Sequence, residues 1–251
     1  MNKRCIILIP VYKENLDDDE FFSVKASLRH LHDFEVLFIA PELLNIEYYS
    51  KNFPNIHFKY FSKDSFASVN SYNRLLTSEF FYETFDSYEY MLILQTDAIL
   101  LKNELSKWID CGYDYIGAPW PNGFSVTVNT NKIPIENGIL CTTFVGNGGL
   151  SLRNIRSCLE LIKEFPDLAL TWQSTGHAED LFFAFLSTLS DFFKTPNIKV
   201  AAKFSQDIEP QYLSKLIGNE IPFGVHAWAK YDRSFWTSHP HWPDLGENDD
   251  F

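Results

Sequence analysis

The sequence predicts an α/β fold: a mostly parallel central sheet with helices on both faces. Two observations carry this. Short apolar runs alternate with stretches of helical spacing through the first half of the chain, and the runs are continuous rather than alternating, as in strands buried on both faces. The chain also has material for a sizeable core. It is 251 residues long, 45% hydrophobic and 16% aromatic, outside the composition range of disordered chains.

Each element has its own reason. Residues 5–9 (Cys-Ile-Ile-Leu-Ile) form a β-branched run stopped by Pro10. Residues 19–32 have helical spacing, with Phe22, Leu28 and Leu31 on one face. Residues 34–39 are a second buried strand, 43–52 a short helix and 56–61 a third strand. Residues 68–85 read as a longer helix with Tyr72, Leu75, Leu76, Phe80 and Phe81 on its apolar side. Residues 90–94 are a fourth strand that runs into Gln95-Thr96-Asp97. In parallel sheets ligands bind outside the carboxyl ends of the strands, which marks Pro10-Val11-Tyr12 and Gln95-Thr96-Asp97 before any motif is considered. The second half is less regular. Residues 103–111, 155–165 and 179–189 read as helices, 115–120 as a short strand, 121–140 as an irregular excursion, and 144–153 as a Gly-rich stretch entering a strand. The tail past Pro240 is polar, acidic and expected to fray.

Charge narrows the partners. Twenty-one Lys and Arg against 33 Asp and Glu give a formal net charge of −12. With no basic stripe, nucleic acid and passive polybasic attachment to an anionic membrane are disfavoured. No apolar run is long enough to span a bilayer. The four cysteines, Cys5, Cys111, Cys141 and Cys158, form no zinc-type spacing, so a reduced, cytoplasmic protein is expected.

Five stretches could carry chemistry. An apolar strand ending in Asp97 is a way to place a ligand for a hard cation such as Mg²⁺ or Mn²⁺, although an acid there also caps turns. Glu179-Asp180 opens an apolar helix, where the helix dipole favours acids and where one carboxylate could act as a general base. His226 stands among aromatics, with Lys230 four residues on. Gly146-Asn147-Gly148-Gly149 permits close backbone approach, and it is neither a P-loop nor a dinucleotide fingerprint. Trp120 lies in Ala118-Pro119-Trp120-Pro121 and offers a face for stacking on a sugar or base.

Taken in order, these stretches resemble the GT-A glycosyltransferases, and among them an uncharacterised glycosyltransferase-like family. The resemblance rests on Gln95-Thr96-Asp97-Ala98, residues 112–120, Gly146-Asn147-Gly148-Gly149-Leu150-Ser151-Leu152-Arg153, Glu179-Asp180 and residues 223–228. It implies one GT-A-like domain over residues 1–236, with a nucleotide-binding half (1–101), a smaller irregular acceptor half (102–236) and a polar tail (237–251). It implies a nucleotide-diphosphate-sugar donor, a glycan or glycolipid acceptor and a Mn²⁺ or Mg²⁺ ion. Asp97 matches the last acid of the Asp-x-Asp motif, with Gln95 where the first acid usually stands. His226 matches the late metal-binding histidine, and Lys230 would lie near the diphosphate. Val11, Tyr12 and Glu14 would edge the base and ribose pocket, Asn73 and Arg74 would approach the donor, and Gln95 and Thr96 would border it. Asp180 would be the base on the acceptor hydroxyl, supported by Glu179. Trp120, Gly148, Gly149 and His177 would face the sugars. The rival readings are a nucleotidyltransferase and a non-catalytic carbohydrate-binding protein that keeps the fold. The donor sugar, the acceptor, the stereochemical course and the oligomeric state are left open.

Overall fold

The computed structural model describes residues 4–128 and 138–244. Its first half alternates as the sequence predicts: β1 (Cys5–Pro10), α1 (Asp18–Leu28), β2 (Glu35–Pro41), α2 (Glu47–Asn52), β3 (His57–Phe61), α3 (Val69–Leu76), α4 (Glu79–Glu83) and β4 (Tyr90–Leu94). The rest is β5 (Ile99–Leu100), α5 (Leu105–Asp110), β6 (Tyr115–Val128), β7 (Ile139–Asn154), α6 (Ile155–Glu164), α7 (Pro166–Thr175), α8 (Glu179–Leu186), α9 (Ile198–Phe204), β8 (Ser205–Gln206), α10 (Pro210–Leu216), β9 (Gly224–Val225) and α11 (Trp228–Thr237).

Six strands form the central sheet in the order β3-β2-β1-β4-β7-β6. The first four run parallel, β7 runs antiparallel to β4, and β6 is antiparallel to β7. Strands β1 and β4 are buried at every residue, which is why they read as unbroken apolar runs. The pleat sends Ile6 and Leu8 into one core, under α3, α4, α6 and α8. It sends Cys5, Ile7 and Ile9 into the other, under α1, α2, α5 and α9. Edge strand β3 exposes His57, Lys59 and Tyr60, blunting the open edge with polar side chains.

The expected helix over 68–85 is two helices. Thr77 Oγ1 donates back to the Asn73 carbonyl, and Ser78 takes an extended conformation in which its hydroxyl accepts the Phe81 N–H. A new N-cap therefore interrupts the apolar stripe. The helix expected from 43 begins only at Glu47, because Leu43 has φ +69° and cannot be helical. The excursion expected over 121–140 is a third correction. Up to Val128, and again from Ile139, it is a long antiparallel ribbon with Phe124 opposite Thr143 and Val128 opposite Ile139. Pro121 and Gly123 sit in the register shift between Pro119 and Phe124. Residues 129–137 of that stretch lie outside the described residues. The tail does not fray immediately after Pro240: Trp242 stacks on Phe22, 5.9 Å between ring centres, and packs on Trp228. Residues 245–251 lie outside the described residues. Among the described residues no helix is long and apolar enough to cross a membrane, and all four cysteines are free.

The end of β7 carries the bulkiest fully buried charged side chain among the described residues. Arg153 is fully buried, donates to Glu179 Oε1 at 2.6 Å and to Ser151 Oγ at 3.0 Å, and lies against the rings of Tyr115 and Phe183. Removing one member of such a pair leaves the other charge buried without compensation. Arg153→Met is therefore expected to lower the unfolding free energy by ~3–5 kcal/mol, and the double variant Arg153→Met/Glu179→Gln by much less. Urea denaturation of the two variants measures this.

Candidate active site

A cleft of about 540 Å³ opens at the carboxyl ends of β1 and β4, where the rule for parallel sheets places a ligand. Pro10, Tyr12, Gln95, Thr96 and Asp97 come from those strand ends, Ser68, Val69, Tyr72 and Asn73 from the start of α3, and Glu20 and Glu179 from α1 and α8. Three acidic side chains, Glu20, Asp97 and Glu179, and no basic one line it among the described residues.

At its rim Asp97 meets His226. The two come from distant parts of the chain, and Asp97 Oδ1 lies 3.3 Å from His226 Nε2. A small second sheet explains the meeting. Its strands lie in the order β5-β9-β8: Asp97 precedes β5, His226 follows β9, and Asp207 follows β8. Ala227 N–H donates to the Asp97 carbonyl and His226 N–H to the Gln206 carbonyl, so three neighbouring strand ends deliver Asp97, His226 and Asp207 side by side. Ala227 takes φ +49°, the left-handed region that non-glycine residues rarely enter, so the turn after His226 is held against its preference. Gln95 Oε1 is 3.2 Å from the same Nε2, and Asp207 Oδ2 is 3.2 Å from Nδ1. Burial works against a charged ring, yet the hydrogen bonds to Asp207 and Asp97 outweigh it and push the imidazole up to about 10. Burial likewise opposes ionisation of Asp97, and the contact with His226 more than reverses it, so its carboxyl lies below the usual range; the Lys230 charge acts in the same direction.

The glycines of β7 serve this arrangement. A Cβ on Gly149 would lie 2.1 Å from His226 Nε2, and one on Gly148 would lie 2.6 Å from Glu179 Oε1. The room expected there for passing sugars is taken by the protein's own imidazole and carboxylate. Asp180 opens α8 with Oδ2 accepting the Gly148 N–H at 3.1 Å and Oδ1 accepting the Leu181 N–H at 2.7 Å. Burial and the neighbouring Glu179 charge push its carboxyl up to about 7, against those two N–H groups. Glu179 is held from behind by Arg153.

The other expected residues divide. Tyr12, Asn73, Gln95 and Thr96 line the cleft; Asn73 Nδ2 also donates to the Gly176 carbonyl. Val11 points into the core at 1% exposure, so it offers the cleft no side chain. Glu14 and Arg74 are exposed and lie outside the cleft lining. Trp120 is buried edge-on against Phe124, and exposed His177 packs on Trp172. Lys230 is exposed beside the Tyr231 ring. Sequence reasoning missed Glu20 and Asp207. Glu20 completes the capping box of α1 with Asp17 and accepts from Lys13 and Thr96; the Asp-x-x-Glu cap was a signal for the helix start, not for the cleft. Asp207 follows a two-residue strand, too short for any periodicity to reveal.

Two of these groups make stability fall as pH rises, each in its own window. A cation favoured in the fold stabilises it below its unfolded value and loses that effect as pH rises through the folded one. With divalent ions chelated, the His226 contribution is therefore expected to disappear between pH 6.5 and about 10. The raised Asp180 carboxyl, also favoured protonated in the fold, loses its contribution from pH 3.8 to about 7. Gly149→Ala should expel the imidazole, cost ~1–3 kcal/mol through overpacking, and abolish the upper window alone. Denaturation curves across pH measure both.

Among curated proteins none matches this chain. Residues 55–226, more than half of the chain, match the family model described as "Protein of unknown function (DUF5672)". The matched stretch runs from just before β3 to His226 and takes in Asn73, Gln95, Asp97, the glycines of β7, Glu179, Asp180 and Asp207. The chain belongs to the DUF5672 family.

Proposed function

We propose that this protein is a metal-dependent glycosyltransferase that moves a sugar from a nucleotide-diphosphate donor to a hydroxyl of a glycan or glycolipid acceptor. The observation that carries the reading is the Asp97–His226 pair, 3.3 Å apart at the rim of a cleft on the carboxyl side of a parallel sheet. The nucleoside would lie in the cleft against Tyr12 and Asn73, with the diphosphate toward Asp97 and Lys230.

The donor groups suit a hard cation only if the substrate completes its shell. Among the described residues no set of three or more His, Cys, Asp and Glu side chains could hold a metal by itself. One carboxylate, one imidazole and the Gln95 amide oxygen converge there, and Mg²⁺-type ions are commonly held by one or two carboxylates plus substrate phosphates. Asp97 and His226 would hold the ion, whose charge offsets that developing on the leaving diphosphate. Asp180 would take the acceptor hydroxyl proton as that oxygen bonds to the sugar carbon and the bond to the diphosphate breaks. A carboxyl raised to about 7 is matched to such work near neutral pH. We place this activity in the cytoplasm, in assembly of a cell-surface polysaccharide.

One observation favours a second reading, a protein that binds a sugar or nucleotide without transferring it. Both Asp180 oxygens already accept backbone N–H groups, which limits their capacity for a hydroxyl. The nucleotidyltransferase reading is weaker, because the segment after β1 is Pro10-Val11-Tyr12-Lys13-Glu14, without a Gly-rich basic loop.

A thermal-shift screen of nucleotide sugars with and without Mn²⁺ tests the proposal; a ligand at 100 times its Kd stabilises by about 2.7 kcal/mol. Mn²⁺-dependent stabilisation is expected in the wild type and should be absent from Asp97→Asn. With donor and acceptor identified, Asp180→Asn should keep donor binding and lose ~10²–10⁴ in turnover. Donor binding without transfer or hydrolysis would favour the second reading, and no binding of any nucleotide sugar would sink both.

A further inference from the structure

The proposed function gives no part to the second carboxylate on His226. Asp207 is 2% exposed and stands outside the cleft lining, so its effect on anything bound must pass through a neighbour. A carboxylate buried that deeply is costly unless strongly hydrogen-bonded. Its Oδ2 faces His226 Nδ1 at 3.2 Å and accepts from Asn147 Nδ2.

The surroundings leave the ring little freedom. Parallel pairing of β8 with β9, Ser205 beside Gly224 and Gln206 beside Val225, leads directly into Asp207 beside His226. Asn147 Oδ1 accepts the Gly149 N–H at 3.2 Å, and Gly149 is the residue whose missing Cβ admits the ring. Strand β7 thus supplies both the floor beneath the imidazole and the amide that steadies Asp207. An imidazole flips readily unless one nitrogen is tied, and a carboxylate on one nitrogen sets both the tautomer and the direction of the other.

We propose that Asp207 is a positioning residue: steadied by Asn147, it holds the His226 ring so that Nε2 faces Asp97 and Gln95 at the rim of the cleft. The consequence for ion binding rests on the proposed function, but the ring orientation does not. Removal of a buried outer partner of this kind costs 10–100-fold in metal affinity.

The test uses the whole chain with ¹⁵N-labelled histidine. Long-range ¹H–¹⁵N spectra of the ion-free protein report the His226 ring, and titration with Mn²⁺ alone reports affinity. Asp207→Asn keeps the size. Asn147→Ala leaves Asp207 in place and serves should the first variant fold poorly. Both are expected to shift the Nδ1 and Nε2 resonances, with Asp207→Asn weakening Mn²⁺ binding about 10–100-fold. Unchanged ring resonances in both variants would overturn the proposal. So would shifted resonances with unchanged Mn²⁺ affinity, provided Asp97→Asn abolishes that affinity. Wild-type protein that ignores Mn²⁺, or binds it independently of Asp97, would sink the metal reading instead, and the ring resonances would still decide the role of Asp207.

Discussion

The imidazole of His226, held between Asp97 and Asp207 under a bare stretch of β7, constrains much of what surrounds it. Its ring occupies the volume a side chain at 149 would need, so that position has to be glycine. Its neighbours must arrive from three strands of a sheet only two residues long at each strand, and the turn after it must take a left-handed conformation at Ala227. The small sheet also buries Ile99, Leu100 and Val225, but neither the bare glycine nor the left-handed turn follows from burying apolar surface. Each becomes intelligible as a condition for keeping a charged ring at the mouth of a cleft.

Strand β7 is the element on which both polar clusters depend. Its middle carries Asn147, Gly148 and Gly149 toward His226 and Asp180, and a few residues on Arg153 pairs with Glu179 of α8. The strand lies between β4, which leads to Asp97, and β6, which borders the more irregular half. A shift in its register would move the glycines from beneath His226 and Glu179 at once. The apolar core on either side, β1 and β4 buried throughout, resists such a shift because a one-residue slip would reverse every side chain. Fold stability and site geometry are therefore coupled through pairing rather than through direct contact.

This division explains what could be read from the sequence. Strands β1 and β4 are unbroken apolar runs, so the parallel sheet and the two strand ends that border the cleft were legible. Asp97, His226 and Asp180 stood out as chemistry-bearing residues at element boundaries. The arrangement of the remainder was set by long-range contacts. Two-residue strands carry no period, so neither the small sheet nor Asp207 could be inferred. Glu20 lay inside a helical stretch, where nothing in the pattern marked it as facing a cleft. Gly148 and Gly149 signalled close approach, but not by what, and the approaching groups turned out to be side chains from α8 and from the segment after β9. The Pro and Gly residues that made 121–128 look irregular are accommodated as register shifts within a ribbon.

The charge of the cleft has a consequence for any phosphate ligand. Glu20, Asp97 and Glu179 line it without a basic side chain, in a chain of net charge −12. Two like charges 5 Å apart at an effective dielectric constant near 20 repel by about 3 kcal/mol. Glu179 is offset by Arg153 and Glu20 by Lys13. Among the described residues, the cationic groups that act on Asp97 are His226 in contact and Lys230 further off. A diphosphate approaching Asp97 would therefore meet a carboxylate whose partner is already shared with Asp207. On the proposed reading, a divalent cation between Asp97 and the phosphates turns that repulsion into attraction. On that reading charge and geometry make the same demand: the acid at the rim would receive an anionic donor together with a cation, and the steady imidazole beside it, its proton displaced by the ion, would supply a nitrogen ligand in place of a second acid.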